Sequence, residues 1–297
     1  MKSYTTLRNL YGKDTKNTST ANLTYGDEVM NDFYRRVCSL KDWPFLHRLR
    51  TALTEASTAF VDYPYDVDLI ESVYVTVGST RYTPKPAPSR RFWDRLNETS
   101  HSSDTPEYWF PYNGQIGLYP QPSSAGNTIS LNSRVRVVDL ESSDYTTGTI
   151  KTATNGDETI VGNGTSWTSS MAGRWIKIDV GDTADSGDGV WYEISSVTDG
   201  TNLKLVRLYG GTSISSATQE YTMGQMPLLP EAYHPMIEKY AAFRYWAKEN
   251  QARANTFKSM SEEDLQGLSK SYSSDSLSVI IEDMDETITN PNLTIEI

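Results

Sequence analysis

The pair Asn113-Gly114, set between EYWFPY and QIGLYP, constrains this chain more than any other feature. A two-residue type I′ turn needs positive φ at both central residues, which Asn-Gly supplies at low steric cost, so a β-hairpin is predicted over 107–120. A hairpin implies an antiparallel sheet, and the flanking sequence offers it partners. Over 67–77, Val67, Leu69, Val73, Val75 and Val77 share one parity while Asp68, Ser72 and Thr76 take the other, predicting a half-buried strand. Ile129, Leu131, Val135 and Val137 alternate in the same way with Ser130, Asn132, Arg134 and Arg136. Residues 51–62 read as a strand on their lack of a helical stripe, with helix still open, and RRFWDRLN at 90–97 reads as a short helix carried on a loop. The sheet is expected to hold at least five strands.

Near Tyr145 the composition shifts to Thr, Gly, Asp and Ser, and TIVG, RWIKIDV, VWYEISSV and LKLVRL mark short strands between turns. Residues 146–224 therefore read as a small all-β module, barrel or sandwich-like, inserted into a core made of 27–145 and 225–272. Helices flank the sheets. Val29, Phe33, Val37 and Leu40 recur at helical spacing from Asp27 until Trp43-Pro44 stops the run. Leu229-Pro230-Glu231 opens a second helix, 231–256, striped by Met236, Tyr240, Phe243 and Ala247, and Ser261 with Asp264 resembles a capping box before a last helix at 262–272. The polar stretch 1–26 reads as an arm or loop. The tail 273–297 sets Asp275, Glu282, Asp283, Asp285, Glu286 and Glu296 around the apolar groups Val279, Ile280 and Ile281, and Leu293 and Ile295, and is expected to dock on another subunit. The expected fold class is thus α+β: a framework of N- and C-terminal helices, an antiparallel sheet domain and an inserted β module.

A formal charge of -11 argues against clamping phosphates, while an acidic wall suits a surface past which DNA slides. Cys38 is the single cysteine, which rules out an intrachain disulfide and reads as a small core residue. The N-terminus has no apolar signal region and no stretch approaches the length of a membrane span, so a cytoplasmic site of synthesis is expected.

Reactive constellations are not evident. His47, His101 and His234 are scattered, no HExxH or GxSxG occurs, and Gly162-Asn163-Gly164 lacks the lysine of a phosphate loop. DVGDTADSGDG places Asp179, Asp182, Asp185 and Asp188 three apart in a Gly-rich loop; this reads as a solvated turn, with a weak calcium site as the functional alternative. Asp94, Asp104, Glu98 and Glu107 carry no glycosidase signal. Arg81, Arg90, Arg91 and Arg95 form the one local basic cluster and read as a solvated face or a subunit contact, with a nucleic-acid site as the alternative and Arg90, Arg91 and Arg95 as interface candidates. Trp93, Trp109, Trp167, Trp175 and Trp191 read as core or interface residues, with a sugar platform as the alternative.

The segments NDFYRRVCSLKDWPFL, YDVDLIESVYVTVGSTRYTP, RFWDRLN, TPEYWFPYNGQIGLYPQPSSAGNTISL and LPEAYHPMIEKYAAFRYWA, in that order, resemble the head-to-tail adaptor family of tailed-bacteriophage virions. GTSWTSSMAGRWIKI with VWYEISSV and LKLVRLYGG is similar to a small β module found in phage virion proteins. The resemblance implies a non-enzymatic structural subunit of the virion neck, without cofactor, assembled as a ring, commonly of twelve copies, beneath the portal. It implies as partners further copies of itself, the portal protein, tail or other neck proteins, and possible fibres on the inserted module. Double-stranded DNA would pass through the ring without sequence-specific binding, and no membrane is involved. A tail or fibre-attachment protein with a carbohydrate-binding β module is the second expectation, and a wall-degrading enzyme the third.

Overall fold

The computed structural model describes residues 1–64, 66–181, 186–216 and 218–272. The chain is mixed α and β, with five helices and three sheets among these residues. The helices are α1 (Tyr4–Thr15), α2 (Thr20–Ser39), α3 (Arg90–Leu96), α4 (Pro235–Trp246) and α5 (Gln251–Ser271). Two compact units result: Lys41–Val138, and Met1–Leu40 with the described part of Asp139–Ile297. None of the described helices is long and apolar enough to cross a membrane.

Lys41–Val138 holds eight strands: β1 (His47–Leu53), β2 (Phe60–Asp62), β3 (Val67–Val77), β4 (Thr80–Tyr82), β5 (Lys85–Pro86), β6 (Tyr108–Tyr112), β7 (Gln115–Tyr119) and β8 (Thr128–Val135). Where the sequence predicts one sheet of five or more strands, there are two of four, ordered β1-β8-β3-β4 and β2-β7-β6-β5. They share one core, in which Val73, Val75, Ile129 and Leu131 of the first meet Trp109, Ile116 and Leu118 of the second. The predicted hairpin is β6–β7, with Asn113 at φ 49° and Gly114 at φ 81°. β5 pairs with β6 in parallel, because α3 intervenes and returns the chain in the same direction. The stretch 51–62, read as a strand, is strand over half its length and holds no helix: β1 ends at Leu53, Ser57 turns at φ 59°, and β2 begins at Phe60.

β3 has its predicted limits but not its predicted faces. Irregularities between Val67 and Leu69 and between Ile70 and Ser72 interrupt its register with β8. Each extra residue reverses the alternation, so Ile70 turns inward and Leu69 outward, 53% exposed.

In the other unit, α4 packs against α1, α2 and α5. Residues 1–26, which the sequence reads as an arm or loop, are helical apart from the turn Lys16–Ser19 and the first three residues. Their polar side chains complete the turn: Tyr11 donates to Asn22 Oδ1 at 2.9 Å, and Asn22 Nδ2 donates to Thr15 Oγ1 at 3.0 Å and Asn17 O at 2.7 Å. Gly26 admits the Tyr11 ring, which a Cβ would meet at 2.3 Å. The predicted helix 231–256 is broken at residues 247–250, where Asn250 accepts from Arg253 N at 3.0 Å and starts α5. Ser261 is accordingly not a cap; it lies inside α5 and donates to Met236 O at 3.2 Å.

The same unit carries β9 (Thr149–Ala153), β10 (Thr159–Asn163), β11 (Trp175–Ile178), β12 (Trp191–Val197), β13 (Asn202–Leu205) and β14 (Tyr221–Gly224). These form one sheet, β14-β11-β12-β13-β10-β9. It curls into a half-barrel, with bridges Ile150–Gln219 and Ala153–Ile214 leading its last strand back toward β14. Its concave side closes on Ile150, Ile160, Trp167, Ile176, Ile194, Leu203, Tyr221 and Met223.

Candidate functional site

Lys41–Val138 carries two surface features that packing within the unit leaves unexplained. The first is the outer face of the first sheet. Strand register places Arg50 opposite Leu131 and Ala52 opposite Ile129, both fully buried, so Arg48, Arg50 and Ala52 take the core-facing parity. Arg50 is accommodated there by Asp66, whose Oδ2 accepts from Nε at 2.8 Å and Nη2 at 2.6 Å. Leu49 and Leu53 consequently point outward from an edge strand, each 59% exposed, and Leu69 of β3 joins them on the same face. Leucine outside and arginine inside reverses the usual distribution on this edge strand.

A charged cluster borders this face. His47 lies one step before Leu49 on the same parity, opposite Arg134. Its Nδ1 is 3.0 Å from Glu71 Oε2 and its Nε2 2.9 Å from Asp42 Oδ1, while Arg134 donates to Asp68 Oδ2 at 2.9 Å. Partial burial opposes a charge on His47, but the hydrogen bonds to Glu71 and Asp42 outweigh it and raise its pKa. Asp42, His47 and Glu71 have the residue types of a metal set, yet each imidazole nitrogen faces a different carboxylate, the geometry of a charged imidazolium between two anions.

The second feature is an aromatic groove of about 340 Å³ beside α3. Ser89 caps the helix by accepting from Phe92 N at 3.2 Å. Trp93 then lies across β7 at Gly117, where a Cβ would meet its ring at 2.5 Å. It stacks on Phe110 with centroids 5.6 Å apart and meets Phe60 edge-on at 5.8 Å. The Arg90 guanidinium lies 4.9 Å from the Tyr112 ring centroid, and Asp94 lies 3.8 Å from Arg90. Asn97 completes the wall, its Nδ2 donating to Trp93 O at 2.8 Å. Rings with one guanidinium, one carboxylate and one amide suit binding by stacking and hydrogen bonds, and the set includes no nucleophile with an adjacent base.

Of the interface candidates read from sequence, Arg90 lines this groove, and Arg91 and Arg95 are exposed on the same helix. Arg81 is separate, stacked 3.6 Å from the Tyr74 ring on the first sheet. Val279, Ile280, Ile281, Leu293 and Ile295 lie outside the described residues, as do Asp182 and Asp185. Their loop partners are locally engaged: Asp179 pairs with Lys177 at 2.8 Å, and Asp188 accepts from Val190 N and the Tyr192 hydroxyl. Among the tryptophans, Trp109 and Trp167 are buried, Trp167 donating to the Tyr221 hydroxyl at 2.9 Å. Trp175 and Trp191 share a half-buried face of the half-barrel with Lys177 and Glu193. His234 is fully buried between Leu229 O and the Lys2 backbone, and burial lowers its pKa, so it stays neutral. Cys38 is buried, which pushes its thiol up to about 12.

The leucine face was not read from the sequence, which set no facing for 51–62 and left Leu49 unassigned; the orientation of these side chains depends on Arg50 finding Asp66. Comparison with known proteins finds no matching family and no matching curated protein.

Proposed function

We propose that this chain is a structural subunit of a tailed-phage virion, a head-to-tail adaptor that associates with its own copies in a ring between portal and tail. The observation that carries this reading is the outward placement of Leu49 and Leu53 on the edge strand, with Leu69 on the same face two strands away, whose exposure is costly in a lone subunit and relieved when another copy covers it. Arg50 turned inward on the edge strand disfavours recruitment of a further strand, so association proceeds through the sheet face. The net charge of -11 is compatible with a lumen along which DNA passes without sticking. The ordered motif resemblance supplies the ring and its place in the neck.

Mass measurement by light scattering, followed by single-particle images of the chain alone and with a portal ring, tests the proposal. A closed ring, or a subunit that closes into one on the portal, supports it. A stable trimer, or a monomer indifferent to portal, contradicts it. The aromatic groove favours a second reading, attachment of a saccharide-bearing partner or fibre. Saturation-transfer NMR with soluble oligosaccharides, compared with R90A and Y112A variants, tests that reading.

A further inference from the structure

The helices of the unit that holds Met1–Leu40 leave a groove of about 250 Å³ open between α2, α4 and α5. Its floor is apolar: Phe33 and Val37 from α2, Tyr240 and Phe243 from α4, Leu265 from α5. Phe33 and Tyr240 stack with centroids 4.1 Å apart, giving that floor a flat, rigid base. Leu40, at the end of α2, stands 53% exposed over it. Arg36 and Lys258 stand on the rim, with Glu262 3.7 Å from Lys258.

We infer that this groove is the seat of the chain's own segment Val279–Glu286, folded back along α5. Three observations identify the occupant. The first is reach. From Leu265 to the end of α5 at Ser271 is six residues, about 9 Å of helix, and the six residues 273–278 span up to about 20 Å when extended, so Val279 returns to the level of Leu265. The second is chemistry: Val279, Ile280 and Ile281 are consecutive aliphatic side chains, suited to the ring floor and to covering Leu40.

The third is charge. Residues 273–297 contain six acids and no lysine or arginine, and four of those acids, Glu282, Asp283, Asp285 and Glu286, directly follow the aliphatic run. A segment running antiparallel to α5 from Leu265 next meets Glu262 and then Lys258, so Glu282 and Asp283 arrive where Lys258 and Arg36 offer positive charge. The sequence alone suggests another subunit as the seat of this tail. The groove places one within reach of the same chain, and the inference does not depend on the ring proposal.

Hydrogen exchange on the full chain tests it. In the wild type, amides of 279–286 are expected to exchange roughly tenfold or more slowly than in Leu40→Glu, a substitution at an exposed position that leaves the helices folded. Protection is expected to survive dilution of about a hundredfold, as an intramolecular contact must. The double charge reversal R36E/K258E should weaken it, and E282K/D283K in that background should restore it. Exchange of 279–286 in the wild type as fast as in Leu40→Glu overturns the inference. Protection that vanishes on dilution overturns it too, because the seat would then lie on another copy.

Discussion

The half-barrel of 149–224 and the four-stranded sheet β1-β8-β3-β4 are both antiparallel, yet they treat their apolar side chains differently. Within the half-barrel the strand aliphatics face one closed core, and the apolar groups most exposed there, Val180, Val190, Val206 and Leu208, sit in loops. In the four-stranded sheet, Leu49, Leu53 and Leu69 are exposed from the strands themselves, on one face. A curled sheet satisfies itself by curvature. The four-stranded sheet leaves these leucines in solvent, and that difference is the basis of the assembly proposed above.

The largest effect expected from breaking this contrast lies in the half-barrel. Trp167→Ala removes a buried indole and its donation to Tyr221, and should cost about 3 to 5 kcal/mol in a urea titration. A loss below 1 kcal/mol would mean that this core is not the module's source of stability.

The helices of the same unit yield the next effect. Burial, with the nearby Asp14 charge, pushes the Glu238 carboxyl up to about 8, and its Oε2 meets no hydrogen-bond partner among the described residues. An acid with a raised folded pKa keeps its proton after the unfolded chain has lost it. Stability should therefore fall as pH rises from about 4.5 toward 8. Glu238→Gln should flatten that fall and stabilise the protein by on the order of 2 kcal/mol at pH 8, with little change near pH 4.5. Thermal melts across that window check both the sign and the size.

A smaller pH effect belongs to the leucine-bearing sheet. His47 has a raised folded pKa, so its bridge to Asp42 and Glu71 is fully present below the unfolded histidine value and lost as pH rises through the folded one. Because both carboxylates are partly exposed, His47→Gln should cost less than about 1 kcal/mol at pH 6 and nothing at pH 9. An equal cost at both pH values would show that His47 acts by packing alone. The smallest effect is Leu49→Ala in the dissociated subunit, within about 0.5 kcal/mol of wild type, because the side chain buries little there.

The two sheets of Lys41–Val138 also differ in how plainly they could be read. The Asn113-Gly114 hairpin was legible because its turn chemistry is local and nearly obligatory. β3 was legible in extent but not in facing, since two irregularities break the alternation and nothing in VDLIESVYV marks them. Helix α1 and the N-terminal end of α2 were hidden because Thr15, Asn17 and Asn22, residues common in loops, are used to bond the turn between them. Arg90 was legible as a surface cation, but the aromatic groove was not, because it depends on Gly117 leaving room for Trp93 from an element far along the chain. The leucine face depends in the same way on a remote partner, Asp66.

Light scattering on the wild type and on Leu49→Lys/Leu53→Lys, at matched concentration and with exchange protection of β3 and β8 measured in parallel, tests the central claim most directly. The wild type is expected to assemble, alone or on a portal ring, and the double variant to keep its protection but stay monomeric in both settings. Assembly of the double variant indistinguishable from wild type would show that the outward leucines are not the subunit contact.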